Sequence, residues 1–310
     1  MNEFELIAQL TRSLPTNASV VVGAGDDCAV LECGDPQRQL LFKTDAVVEG
    51  IHFTRETPPE KIGRKALARC LSDIAAMAGT PSAALVTIAL PKMLSPEFVE
   101  KIYTGMNTLA KQHDVAIVGG ETTTNPERVL ISIALTGFVP RGKAILRTGA
   151  KVGDAIFVTG ELGGTLAGKH LNFEPRLAEA RWLADNFSIH AMMDVSDGLA
   201  GDLPHMLRAS GVGAELLKSA VPISRAAKEF SKRGDAAKPA FVAALTDGED
   251  FELLFTIASK KAVPALDAWR QKFPQLKLSC IGKIIAGQGL RLRDQTGIRP
   301  LTAHGYVHFS

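Results

Sequence analysis

Basic residues are nowhere concentrated in this chain. Its 35 Lys and Arg against 33 Asp and Glu leave a net charge of only +2. No basic run with interleaved aromatics occurs, which argues against nucleic acid as the partner. Cysteine is equally scarce: Cys28, Cys33, Cys70 and Cys280 form no CxxC pair, so neither a zinc site nor a disulfide framework is indicated. Reduced thiols in a cytoplasmic protein are the expectation. The longest apolar stretch, 83–90, is far too short to cross a bilayer. The opening Met1-Asn2-Glu3-Phe4-Glu5 is acidic and lacks the basic and apolar regions of a secretory signal. With 46% hydrophobic and 22% charged residues, the composition is that of a globular protein rather than a disordered or fibrous one. A length of 310 residues accommodates two domains.

What the chain does have is a set of acidic knots flanked by Gly, Ser or Thr and set against apolar stretches. They are Gly25-Asp26-Asp27, Thr44-Asp45, Leu71-Ser72-Asp73, Gly119-Gly120-Glu121, Asp194-Val195-Ser196-Asp197-Gly198 and Asp247-Gly248-Glu249-Asp250. Acidic side chains rarely border buried segments unless something pairs with them, and Lys and Arg are mostly absent from the knots themselves. Two unit charges about 4 Å apart at an effective dielectric of about 20 repel by roughly 4 kcal/mol. Carboxylates that converge would therefore be strained without hard divalent cations. Mg²⁺ combines one or two carboxylates with water and substrate phosphates, so the pattern points to metal-assisted chemistry on a phosphorylated ligand.

Periodicity predicts an amphipathic helix over Glu3–Arg12, with Phe4, Leu6, Ile7 and Leu10 on its apolar side. Strands follow at Val20–Val22, Ala29–Leu31 and Gln39–Thr44, the last ending at Thr44-Asp45. Pro58-Pro59 introduces a helix over 60–78, and Ser95-Pro96-Glu97 caps another. Strands at Ala84–Leu90, Val115–Val118 and Val129–Val139 complete a first half. A Gly-, Lys- and Arg-rich connection, Pro140–Gly153, leads to a second half with a strand at Ala155–Thr159. Helices near 162–170 and 176–187 and a strand into Asp194 come next, then a helix over Leu199–Ala209 and a strand over Phe251–Ile257. Ser231–Lys238 reads as a mobile surface loop. Adjacent strands mixed with helices indicate two α+β domains, 1–140 and 141–310, rather than one doubly wound sheet.

Taken singly, several knots have simpler explanations. Asp26-Asp27 suits a hairpin turn, Asp197 an N-cap, and Glu249-Asp250 a turn before a strand. A lone His52 is more often structural than functional. Asp73 is more telling, because the last turn of a helix disfavours an anion, although Arg69 and Lys65 could form weak ion pairs with it along the helix. The paired glycines before Glu121 would let backbone approach a phosphate. Arg147 offers a guanidinium suited to phosphate. Gly163 to Lys169 fits the phosphate-cradling GxxxxGK pattern, but His170 stands where Ser or Thr should hold Mg²⁺, leaving Lys169 as a solvated side chain.

In order and spacing these segments closely resemble the thiamine-monophosphate kinase family, a branch of the aminoimidazole ribonucleotide synthetase superfamily. The likeness runs from Phe4-Glu5-Leu6-Ile7 to Gly305-Tyr306. It includes Glu49-Gly50-Ile51-His52-Phe53, Gly119-Gly120-Glu121-Thr122-Thr123, Arg147-Thr148-Gly149-Ala150 and Gly248-Glu249-Asp250-Phe251. The resemblance implies two α+β domains, the first carrying a mixed sheet and a homodimerisation surface. It implies ATP-dependent phosphorylation of thiamine monophosphate with several Mg²⁺ ions. Asp27, Thr44, Asp45, Asp73, Glu121, Asp194 and Asp197 would hold metal. Tyr103, Gly120, Glu121, Arg147 and Ser196 would meet ATP, and His52, Glu249 and Tyr306 the thiamine phosphate. Asp45, Asp73 and Arg147 would carry catalysis. Three features depart from the family pattern: Lys43 where many members have a small hydroxyl residue, Glu121 in place of Asp, and a short Gly160–Asp194 segment. Another ATP-dependent enzyme of the superfamily, or a silent thiamine-phosphate- or nucleotide-binding paralogue, stands as the alternative. The ending His308-Phe309-Ser310, without a terminal Cys, disfavours a hydrogenase-maturation role.

Overall fold

The computed structural model describes residues 3–234, 237–302 and 305–306. The chain divides into two compact units. One is Ala18–Ala144 with His170–Leu177; the other is Met1–Asn17, Ile145–Lys169 and Ala178–Ser310. The N-terminal helix α1 spans Glu3–Thr11, close to expectation, though Ile7 and Leu10 on its expected apolar side are exposed. The Phe4 side chain, part of loop 231–238 (Asp235 and Ala236) and the chain end His308-Phe309-Ser310 lie outside the described residues.

The unit built on Ala18–Ala144 contains β1 (Val20–Val22), β2 (Ala29–Glu32), β3 (Arg38–Val48), α2 (Pro59–Ala76), β4 (Thr80–Leu90), α3 (Pro96–Gln112), β5 (Ala116–Thr124) and β6 (Leu130–Pro140). Its sheet order is β1-β2-β3-β6-β4-β5. Every pairing is antiparallel except β4 with β5, which needs a crossover, and α3 supplies it. Helix α3 starts where Ser95 Oγ accepts the Phe98 N–H at 3.3 Å, with Pro96 in the first turn; such a cap contributes about 1 kcal/mol. Helix α2 buries Leu67, Cys70, Leu71 and Ile74 completely and covers one face of the sheet, its Cys70 thiol donating to the Ile133 carbonyl.

Strands β3 and β5 run well past the ends their sequences suggest, and both extensions reposition acidic knots. Strand β3 does not stop at Thr44-Asp45 but pairs with β6 as far as Val48↔Leu130. The alternating apolar residues of β6 give every β3 residue a partner, so Asp45 sits inside the sheet. Strand β5 passes through Gly119-Gly120-Glu121 to Thr124 after a bulge opposite Ala84/Leu85. Gly120 makes this possible: its φ is +153°, and any Cβ there would collide with the Val86 carbonyl.

The other unit contains β7 (Asp154–Thr159), α4 (Lys169–Asn172, whose last three residues fall in the first unit), α5 (Leu177–Asn186), β8 (Ile189–Asp194), α6 (Leu199–Ser210), β9 (Gly213–Leu217), α7 (Arg225–Phe230), α8 (Ala240–Thr246), β10 (Leu253–Ala258), α9 (Ala262–Lys272), β11 (Leu278–Ile285), β12 (Gly289–Asp294) and β13 (Gly297–Pro300). Its mixed sheet has the order β13-β12-β9-β11-β7-β10-β8. Ile156, Val158, Met193 and Leu254 form one buried cluster with Leu199, Leu203 and Met206 of α6 and Leu245 of α8. The Phe157 and Phe255 rings stack at 5.4 Å, and Trp182 of α5 meets Trp269 of α9 edge-on at 5.9 Å. The helix expected near 162–170 is broken into a short 3₁₀ turn, Thr165–Ala167, and α4, because Gly163, Gly164 and Gly168 all adopt positive φ.

Helices α2 and α3 approach through two glycines. A Cβ on Gly63 would collide with the Ile102 carbonyl, and one on Gly105 with the Glu60 carbonyl. Backbone cannot yield as a side chain would, so overpacking here has a cost of about 1–3 kcal/mol. Gly105→Ala should lower the unfolding free energy by that amount in urea titrations, with the denaturant slope unchanged.

Candidate active site

On β3 successive side chains alternate between faces. Lys43 and Asp45 point towards α2, and both find partners. Lys43 Nζ lies 3.0 Å from Asp73 Oδ1. Arg69 grips Asp45 with two bonds, Nε to Oδ2 at 2.9 Å and Nη2 to Oδ1 at 3.2 Å. The basic residues scarce in the knots thus arrive from neighbouring strand and helix positions. Asp73, in the last turn of α2, is offset by Lys43, a partner that helical spacing does not reveal. Asp27, in the β1–β2 turn, and Asp73 each offer a carboxylate oxygen within 4.8 Å of the other, and both are buried.

These charges set the protonation of their neighbours. Burial alone would lower the Lys43 ammonium, but Asp73 and then Asp45 raise it well above the usual lysine range. The Cys28 thiol is pushed up by burial, then by Asp73, with Lys43 acting against them. Lys43 therefore stays charged and the Cys28 sulfur stays an inert thiol. Buried carboxylate oxygens at this separation fit a hard cation such as Mg²⁺.

Thr44 behaves differently from its neighbours. Its hydroxyl faces the opposite side of the sheet, 3.5 Å from Ser132 Oγ, so of the two oxygens Thr44 offers, the side-chain one is turned away from Asp45. Only its main-chain carbonyl remains as a possible donor. Glu121 is exposed on the edge strand β5, in register with Thr87. Tyr103 lies mid-helix on α3, its hydroxyl raised by burial. Among the described residues no hydrogen bond or ion pair joins Glu121 or Tyr103 to the Asp27–Asp73 pair.

His52 follows β3 in a tight turn. The Val48 N–H donates to His52 Nδ1 at 3.1 Å, which leaves the neutral ring's proton on Nε2. Lys65, wholly buried, donates to the His52 carbonyl at 2.6 Å and sits 3.0 Å from His170 Nδ1. Glu49 anchors the same turn: it accepts the Val129 N–H at 3.0 Å and the Arg55 guanidinium at 2.6 Å. Glu49 opens the Glu49-Gly50-Ile51-His52-Phe53 segment and Lys65 stands within helical reach of Asp73, but the sequence pointed to neither as an anchor of the His52 turn.

In the second unit, backbone hydrogen bonds gather four expected site residues. The Glu249 N–H donates to the Ser196 carbonyl at 2.6 Å, and the Tyr306 N–H to the Asp197 carbonyl at 2.9 Å. Gly305 fits against Asp197 and Gly201 so closely that a Cβ would collide with the Asp197 carbonyl. Glu249 takes φ +54° to make the turn. Asp194 ends β8, and the Asp197 N–H donates to Asp202 Oδ2 at 3.0 Å. Asp202, missed from sequence, is buried in the first turn of α6. Its carboxyl is pushed up by burial, then by Asp197 and Asp194, while the Asp197 N–H and Arg147 oppose this. Arg147 therefore shares the electrostatic neighbourhood of this acidic trio. His205 is held down at about 4 by burial, Arg208 and Arg147, so it is neutral at pH 7. The signal available for Asp202 was an acid among apolar residues at helical spacing, Leu199, Leu203 and Met206.

The GxxxxGK segment is not a phosphate loop. The Gly163 and Gly164 N–H groups donate to Asp250 Oδ1 and Asp247 Oδ2, at 2.9 and 2.8 Å. Lys169 is not solvated: it pairs with buried Glu252 at 2.9 Å.

Family models for the AIR synthase related protein match residues 25–139 with its N-terminal domain and residues 151–295 with its C-terminal domain. The chain is 40% identical over 306 residues to the thiamine-monophosphate kinase of Rhodopirellula baltica, covering 96% of this chain and 93% of that relative. It is 33% identical to the Bacillus subtilis thiamine-monophosphate kinase over the whole of both chains. The solved structure of AaThiL complexed with AMPPCP and TMP matches with a TM-score of 0.84 at 30% identity, covering 99% of this chain and 97% of that one. The chain belongs to the AIR synthase related family and, within it, to the thiamine-monophosphate kinases.

Burial raises the Asp250 carboxyl to about 7, despite Lys169 and the Gly163 N–H. A raised carboxyl favours the folded state below the unfolded value near 4 and loses that contribution as pH climbs through 7. The natural chain should lose stability relative to Asp250→Asn over this window. The loss is on the order of 4 kcal/mol, about three units at roughly 1.4 kcal/mol each, read from urea unfolding at several pH values.

Proposed function

We propose that this protein transfers the γ-phosphoryl group of ATP to the phosphate of thiamine monophosphate, forming thiamine diphosphate and ADP. The observation that carries this reading is end-to-end similarity to thiamine-monophosphate kinases in a chain that retains an acidic residue at each knot. AMPPCP and TMP bound together in the AaThiL structure support a site that holds nucleotide and acceptor at once. The bond from the γ-phosphorus to the bridging oxygen of ADP breaks as an oxygen of the acceptor phosphate bonds to that phosphorus. This oxygen is already anionic, so no strong general base is required, and the demand falls on alignment and charge neutralisation.

Asp27, Asp45, Asp73, Asp194 and Asp197 are the residues that would hold Mg²⁺, with Glu121 and the Thr44 carbonyl as further oxygens. When bound, Mg²⁺ neutralises charge on the transferring phosphates. Arg147 is assigned to phosphate; Tyr103, Gly120, Glu121 and Ser196 to ATP; His52, Glu249 and Tyr306 to the thiamine phosphate. The His52 Nε2–H is a suitable donor to a phosphate oxygen, and the hydrogen bond at Nδ1 fixes that tautomer.

We assign a cytoplasmic location and a homodimer. No described helix is long and apolar enough to cross a membrane. Phe42 and Leu85 are exposed on the sheet face away from α2, with Val118 exposed on the edge strand, a surface suited to a second copy. Leu85→Asp should halve the mass measured by light scattering while leaving the circular dichroism spectrum intact.

Chemistry is tested by ADP release with thiamine monophosphate, thiamine or aminoimidazole precursors as acceptor. Only thiamine monophosphate should support turnover. Asp45→Asn and Asp73→Asn should each lower kcat at least a thousandfold in folded protein. Near-normal rates in both variants would exclude the proposed role of the acidic group.

A further inference from the structure

The charge balance of the Asp27, Asp45 and Asp73 group differs from what three carboxylates alone would give. Asp45 is held by both nitrogens of the Arg69 fork. Asp73 Oδ1 takes the Lys43 ammonium at 3.0 Å, with the two side chains 24% and 9% exposed. Asp27 shares the remaining space with Asp73. Lys43 and Arg69 thus each bring a positive charge into direct contact with one of these carboxylates. The Lys43 stem reaches this position because β3 continues past Thr44 and keeps Lys43 and Asp45 on the α2 side of the sheet.

A cation already paired to a ligating carboxylate lowers what a divalent ion gains there, since the ion must share or displace that carboxylate's charge. We infer that Lys43 is a built-in cation that takes the charge position of one divalent ion at Asp73. On this basis the chain holds the Asp27–Asp73 pair together without metal and recruits divalent ions more weakly than a chain with a small hydroxyl residue at position 43. The inference rests on the metal-holding role proposed above, and it makes Lys43 a determinant of metal demand rather than a catalytic residue.

The test uses the full chain and Mn²⁺ alone, with bound ion counted from the loss of the free Mn²⁺ electron paramagnetic resonance signal. Lys43→Met, which keeps the length of the stem but not the charge, should bind its first Mn²⁺ at least tenfold more tightly than the natural chain. Lys43→Gln serves the same purpose if the methionine variant does not fold, and Lys43→Arg should bind as the natural chain does. In EDTA the uncharged variant should melt at a lower temperature than the natural chain, and Mn²⁺ should raise its melting temperature by more. Equal or weaker Mn²⁺ binding by the uncharged variants, with the natural chain binding the ion, overturns the role of Lys43 and leaves the metal site standing. Absence of Mn²⁺ binding in every form overturns both.

Discussion

Carboxylates buried within a few ångströms of each other demand a nearby positive charge, and one unit of this protein is organised around meeting that demand. Asp27 reaches the group from a turn, Asp45 from mid-strand and Asp73 from the end of a helix. Their countercharges come from the same two elements, Lys43 on β3 and Arg69 on α2. The register of β3 against β6 and the seating of α2 on the sheet are therefore prerequisites for the site. The close α2–α3 approach through Gly63 and Gly105 fixes the helix that carries two of these charges.

The second unit solves a different problem, the placement of polar groups by backbone. Loop 195–198, loop 247–251 and residues 305–306 are joined through main-chain hydrogen bonds. Glycines allow the strands of this weave to touch, and Asp202 holds the Asp197 N–H from below. The side chains proposed to bind nucleotide and thiamine phosphate thus sit on segments joined by main-chain contacts. Substitution of a binding side chain here should alter recognition before it alters folding.

Much of this organisation was legible in the sequence, because apolar periodicity, Pro-initiated helices and a Ser cap are local signals. Val20–Val22 and the strand into Asp194 fall where the pattern puts them. The strand ends at Thr44 and Val118 were misread because a polar or glycine residue resembles a terminus. Pairing to β6 and β4, a non-local fact, overrides that appearance. Acidic knots were visible as chemistry, whereas the partners of Asp45 and Asp73 were not, since only tertiary packing brings Lys43 and Arg69 to them. The same holds for Lys65 with His52 and for Asp202 with Asp197. Strand alternation likewise turns the Thr44 hydroxyl to the face opposite Asp45, an orientation the motif alone does not reveal.

Membership of the thiamine-monophosphate kinases, the paired carboxylates and the guanidinium at Arg147 converge on one central claim, phosphoryl transfer onto an existing phosphate. Phosphorus-31 NMR of the protein with ATP, Mg²⁺ and thiamine monophosphate tests it most directly. The account predicts that the acceptor's single phosphomonoester resonance is replaced by two coupled diphosphate resonances as ATP gives way to ADP. An unchanged phosphomonoester resonance, with inorganic phosphate accumulating or ATP left intact, would contradict it.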